Sequence, residues 1–185
     1  MVTETLKSKA ITDLDATPIL EATSGEYGPA PLKVIQATVA PTDAKTVGST
    51  YLMVRLPTSA KLKHIYVGQS VVATAFVADV GLYYSDSTTD GTAKANQGVV
   101  LNTDLQDYFA AAVDFDAAVL TTPKEVTFLN PSEGYQMADT VLPLWNGANT
   151  GLTADPGGFF DVVLTTVSET NSVPGTIWME VQYTM

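Results

Sequence analysis

The stretch GSTYLMVRLPTSAKLKHIYVG, residues 48–68, decides the fold. Side chains along it alternate with a period of two, the spacing of a β-strand with one face turned inward. Leu52, Val54 and Leu56 share one face, and Tyr51, Met53 and Arg55 share the other. Pro57 stops the run, because proline has no N–H to give a ladder. Beyond it Lys61, Lys63 and Ile65 alternate with Leu62, His64 and Tyr66, which predicts a half-buried strand with one wet face.

The same period extends outward in both directions. Upstream, Ile35, Ala37 and Val39 alternate with Val34, Gln36 and Thr38 until Pro41 and Asp43 break the run. Downstream, VVATAFVADVGLYY (71–84) holds one or two strands, with Phe76, Ala78, Val80, Leu82 and Tyr84 in register. GFFDVVLTTVSE (158–169) and TIWMEVQYTM (176–185) read as closing strands. In the last, Ile177, Met179, Val181 and Tyr183 form one face, and Trp178, Glu180, Gln182 and Thr184 the other. One helix is predicted over DLQDYFAAAVDF (104–115), with Asp104 as cap and Leu105, Tyr108, Phe109 and Ala112 at helical spacing. VLPLWNGANTG (141–151) allows a single helical turn that brings Trp145 onto the core. Many short strands, frequent turn signals and one short helix predict an all-β fold, an antiparallel β-sandwich of jelly-roll type. No fixed-period repeat points to a solenoid or propeller.

The first thirty-two residues differ from the rest, with short apolar hits followed by Gly25, Gly28, Pro29 and Pro31. The expected organisation is an extended N-terminal arm and linker over 1–32 and a sandwich domain over 33–185. The alternative for the arm is a first edge strand, Ala10 to Leu14, folded onto the body.

Composition narrows the function. At 185 residues with 45% hydrophobic content the chain can bury a sizeable single core. Nine basic against twenty acidic residues leave a net charge of −11. Nucleic acid is therefore not an expected partner, since phosphate binding rests on Lys and Arg. An anionic membrane surface is disfavoured on the same ground. No apolar run approaches the ~20 residues of a membrane span. MVTETLKSKAITDLD lacks the apolar core of a secretory signal, so synthesis in a cytosol is expected. There is no cysteine, so neither disulfides nor thiolate metal sites enter the fold.

Reactive chemistry is sparse. His64 is the only histidine, and no GxSxG elbow accompanies it, so a strand histidine bonded to a neighbour is expected. Asp79, Asp114, Asp116 and Asp161 are the candidates for a carboxylate pair. Asp79 and Asp161 lie in apolar strands and are expected on solvent faces. DSTTDG (86–91) lacks the distal glutamate of a calcium loop and reads as a solvated turn. In ADPGG (154–158), Asp155 and Pro156 start a bend, and Gly157 and Gly158 permit positive φ. Tyr51, Tyr66, Tyr83 and Tyr84 could line a sugar-binding face, but packing explains them equally. No catalytic residue, cofactor or metal is expected.

Four segments, KSKAITDLDATP (7–18), STYLMVRLPTSAKLKHIYV (49–67), DVGLYYSDSTTDGT (79–92) and LTADPGGFFDVVLTT (152–166), carry a resemblance. Together they cover under half the chain, in order, and the chain resembles small tailed-bacteriophage head decoration or cement proteins encoded near the major capsid protein. Residues 99–150 match no motif. The resemblance implies a jelly-roll sandwich that assembles as a dimer or trimer on the capsid exterior and binds the major capsid protein. Such a protein stabilises the assembled shell by mass action and avidity. It also implies that the arm docks on the capsid, with Lys7, Lys9, Ile11 and Leu14 as contacts, and that deleting residues 1–20 leaves a folded body without capsid binding. Two other readings compete: a carbohydrate-binding sandwich from a phage tail or surface appendage, and a glycoside-acting enzyme.

Overall fold

The computed structural model describes residues 5–8, 11–12, 15, 31–41, 46–70, 76–85, 105–115, 122–130, 134–168 and 175–185. The strands are β1 (Thr5–Lys7), β2 (Lys33–Val39), β3 (Thr50–Pro57), β4 (Lys61–Gln69), β5 (Val77–Tyr84), β6 (Ala110–Asp114), β7 (Lys124–Glu125), β8 (Phe159–Thr166) and β9 (Ile177–Thr184). They form two sheets, ordered β1-β3-β8-β5-β6 and β2-β9-β4-β7. Among the described residues every pairing is antiparallel except that of β1 with β3. The fold is an all-β sandwich, as the alternating sequence predicts.

The sheets meet over one apolar core. The first sheet supplies Tyr51, Val54, Leu56, Ala78, Val80, Leu82, Phe160, Val162 and Leu164. The second supplies Ala37, Val39, Leu62, Ile65, Val67, Ile177, Met179 and Val181. Phase within two strands differs from simple alternation. The β3–β8 ladder shifts between Leu52 and Val54, and the β4–β9 ladder between Leu62 and His64. Each bulge inserts one residue and turns the side chains beyond it to the opposite face. Tyr51 and Val54 therefore join the core together, while Leu52 lies in a second cluster with Ile11, Tyr83 and Val163. Leu62 and Ile65 likewise both point inward.

The helix predicted over 104–115 does not form. Leu105 opens a short turn, and Ala110–Asp114 is strand β6 on the edge of β5; Asp104 lies outside the described residues. Phe109 N donates to Val80 O at 2.9 Å and Phe115 N to Phe76 O at 2.9 Å. An open sheet edge thus takes the backbone groups that a helix would have used, and weak helical spacing yields to tertiary pairing. Tyr108, Phe109 and Tyr135 pack edge to face near this segment, with centroids 5.0–5.7 Å apart. The expected turn near Trp145 does form, as a 3-10 turn over Leu144–Asn146. Leu144 is the residue it buries, and Trp145 packs half-buried against the core.

The described part of the N-terminal segment lies on the body. Ser8 N donates to Leu52 O at 2.7 Å, and Ser8 Oγ donates to Met53 O. Ser8 Oγ also accepts from Ile11 N at 3.3 Å, as a helix N-cap does. Ile11 and Thr12 have helical backbone, so the alternative of a strand over Ala10 to Leu14 fails there.

Candidate functional site

The two sheets present opposite outer faces. Strands β3, β5 and β8 are buried on both sides, whereas β9 alternates buried and half-buried along its whole length. The outer face of the first sheet is covered by the chain's own segments. The outer face of the second is open.

Asp161 and Asp79 show how the covered face works. Both are buried, a correction to the expectation that they face solvent. The reason is that each has partners supplied from the covering segments or the next strand, which is what makes a buried carboxylate tolerable. Arg55 Nε and a terminal guanidinium nitrogen reach the two Asp161 oxygens at 2.7 and 3.0 Å. The other terminal nitrogen reaches Asp15 Oδ1 at 2.5 Å, and Asp15 also takes Lys7 Nζ at 2.6 Å. Burial works against the charged guanidinium, but the hydrogen bonds and charges of Asp161 and Asp15 outweigh it and hold Arg55 above its ordinary value. Asp15 is pulled up by burial and down by Lys7 and Arg55, and the cations win. Asp79 accepts from Gln106 Nε2 and Ala112 N, each at 2.8 Å.

These carboxylates do not converge. Asp79 stands opposite Thr165 and Asp161 opposite Tyr83 in the β5–β8 ladder. Four ladder positions separate them, about 13 Å by strand rise, more than the roughly 5–9.5 Å used in glycoside cleavage. Asp114 is exposed, and Asp116 and DSTTDG (86–91) lie outside the described residues. Among the described residues no cluster of three His, Asp or Glu could hold a metal ion. Gly157 and Gly158 adopt φ of 72° and 76°, and Asp155 accepts from Gly157 N, so the ADPGG segment is the turn its sequence describes.

Of the arm residues, Lys7 is paired with Asp15, and Ile11 is fully buried against Leu52, Tyr83 and Val163. Lys9 and Leu14 lie outside the described residues.

The open face is built in rows across β2, β9 and β4. Thr38, Trp178 and Gly68 form one row, Gln36, Glu180 and Tyr66 the next, and Val34, Gln182 and His64 the third. Gly68 leaves a gap in the first row, and the Trp178 indole lies across it. A Cβ on Gly68 would overlap three indole atoms, Cζ2, Cε2 and Nε1, so the ring rests face-down on the glycine. Gln36 Nε2 and Gln182 Nε2 each donate to one Glu180 oxygen, at 2.8 and 2.9 Å. These two bonds, first that of Gln182 and then that of Gln36, hold Glu180 below the usual carboxylate range against a small opposing effect of burial. His64 Nδ1 meets Glu125 Oε1 at 2.7 Å and its ring stacks on Tyr66, the neighbour-bonded strand histidine that the sequence predicts. Between these residues runs a groove of about 520 Å³, lined by Gln36, Thr38, Tyr66, Pro123, Trp178, Glu180 and Gln182. Of the four tyrosines named from sequence, Tyr66 alone lines it, while Tyr51 and Tyr83 are interior.

A further surface lies on the 3-10 turn Met137–Val141, where Met137 is 74% and Val141 66% exposed. Asp139 between them is buried and accepts from Gln136 N and Ala148 N. Lys63 Nζ donates to Thr140 O at 2.5 Å and ties the turn to β4. Nothing in MADTV marks these residues, because their exposure depends on how the turn packs.

Two solved structures share this architecture over nearly the whole chain. One is a chain of the "Capsid of Ralstonia phage GP4", with a TM-score of 0.58 at 13% identity, covering 98% of this chain and 97% of its own. The other belongs to the "Cyanophage Pam1 capsid asymmetric unit", with a TM-score of 0.51 at 12% identity, covering 92% and 96%. At these identities the likeness is one of fold. No protein-family model and no curated protein matches the chain.

Proposed function

We propose that this protein is a non-enzymatic structural component of a phage virion, a decoration or cement protein on the exterior of the head. In that role it binds the major capsid protein, bridges neighbouring capsomers and assembles with itself as a dimer or trimer. The observation that carries the reading is the end-to-end likeness to chains of two phage capsids, which leaves almost no residue of either partner outside the match.

The topology supports it. Numbered one to eight from β2 to β9, the strands run 1-8-3-6 in one sheet and 2-7-4-5 in the other, the order of a jelly roll. The net charge of −11 keeps free copies apart until a specific surface docks them. Met137 and Val141, held on a tied-down turn, offer apolar contacts for such docking. Ile11 is taken up by the chain's own interior, so the N-terminal segment acts first by bracing the body. Lys9 and Leu14 are the arm's own capsid contacts in this reading.

The test uses purified protein and assembled, expanded heads of the encoding phage that lack it. Saturable co-sedimentation, with density on the outer surface by cryo-electron microscopy, is the expected result. Heads that never acquire the protein at saturating concentration would overturn the reading.

A further inference from the structure

We propose that the groove on the open face of β2, β9 and β4 is a binding site for neutral carbohydrate, with Trp178 as the stacking platform. Such a site is independent of the virion reading, because it concerns a surface and not a location.

Three features carry it. The indole is fixed: one face lies on Gly68, and the ring lines the groove beside Tyr66 and Pro123. A flat, immobilised aromatic surface suits the C–H face of a pyranose, which is apolar and equally flat. Next to it, in the adjacent row, stand Gln36, Glu180 and Gln182, joined by the two amide-to-carboxylate bonds. Glutamine amides bring both a carbonyl oxygen and two N–H donors, and an ionised carboxylate brings acceptors alone. That mixture answers the alternating donors and acceptors of sugar hydroxyls. Thr38 extends the same polar edge from β2. The groove's size, about 520 Å³, falls within the range of small-molecule sites.

Charge selects among sugars. Glu180 is held ionised at neutral pH, and the chain as a whole is strongly acidic. Phosphorylated, sulfated or sialylated glycans are therefore repelled, and uncharged hexoses and N-acetylhexosamines are favoured. A basic peptide is the rival occupant, both on charge and by cation–π contact with the indole, but a lysine or arginine side chain has no acceptor for the glutamine N–H groups, which sugar hydroxyls have.

The test titrates cellobiose, maltose and N,N′-diacetylchitobiose into the full chain, read by saturation-transfer NMR and by tryptophan fluorescence in a Trp145→Phe background. At least one sugar is expected to bind saturably at millimolar concentration or better. Trp178→Ala should weaken it by roughly tenfold or more, the loss typical of a central aromatic anchor. Gly68→Ala, which displaces the ring without removing it, should do the same, and Gln182→Ala should weaken binding with the fold intact by melting temperature. No saturation transfer from any of the three sugars overturns the proposal. So does binding that survives Trp178→Ala, or an oligolysine peptide that occupies the groove when no sugar does.

Discussion

Arg55 on β3 and Asp161 on β8 are direct cross-strand partners, and the guanidinium grips both carboxylate oxygens where both residues are buried. The remaining guanidinium arm holds Asp15, so one cation joins two strands and the N-terminal segment. A forked donor meeting a two-oxygen acceptor is the geometry in which burying charge is tolerable.

Breaking that pair from one side takes the two-point partner away from a charge that stays buried. Arg55→Met and Asp161→Asn are each expected to lower stability by about 3–5 kcal/mol in urea unfolding. The double variant Arg55→Met with Asp161→Leu should recover much of the loss, since no buried charge then remains on either strand. Strictly additive losses would show that the two residues act independently.

Ile11 fills a pocket made by Leu52, Tyr83 and Val163 on the outer face of the first sheet. Ile11→Ala should cost about 2–5 kcal/mol, the usual penalty for emptying a buried aliphatic site. Deleting residues 1–20 removes Ile11 and Asp15 together and is expected to lower the melting temperature markedly, unlike the excision of a free arm. An unchanged melting temperature in the truncated protein would contradict the bracing role.

Acid should loosen the same segment. The folded pKa of Asp15 lies below its unfolded value, because Lys7 and Arg55 favour the carboxylate more than burial opposes it. Its contribution is thus complete above the unfolded value of about 3.9 and is lost as pH falls through the lower folded value. Wild type should exceed Asp15→Asn in stability at pH 7, and the gap should close as the pH drops below about 4. A gap that widens in acid would reverse the sign and refute the assignment.

Alternation alone made the sandwich legible: the period-two runs over 34–39, 51–56, 61–66 and 176–185 fall in the strands Lys33–Val39, Thr50–Pro57, Lys61–Gln69 and Ile177–Thr184. Phase was not legible. Both faces of β3 are buried because both are covered, so nothing in TYLMVRL marks the bulge at Met53. Helical spacing over Leu105, Tyr108, Phe109 and Ala112 misleads because the backbone from Phe109 to Phe115 bonds to the neighbouring strand and its approach, not along a helix of its own. The polar face of β9 is visible in sequence as Trp178, Glu180 and Gln182. Its conversion into a groove needs Gln36 opposite Glu180 and Gly68 opposite Trp178, which register alone decides.

Ala112 adopts φ of 48°, a left-handed backbone that a side chain disfavours, and it does so beside the shift in the β5–β6 ladder. Asp79 Oδ1 holds its N–H at 2.8 Å, so a buried carboxylate maintains the bend. The left-handed region costs a non-glycine residue about 1–2 kcal/mol, while glycine in a strand forfeits roughly 0.5–1 kcal/mol of chain entropy. The side chain of Ala112 is exposed, so its loss empties no core. Ala112→Gly should therefore stabilise the protein, by roughly 0.5–1 kcal/mol. Asp79→Ala should do the opposite, because it strands the Ala112 N–H and the Gln106 amide together. Urea midpoints of the two variants decide the matter: a destabilising Ala112→Gly would mean that the bend is not where the strain resides.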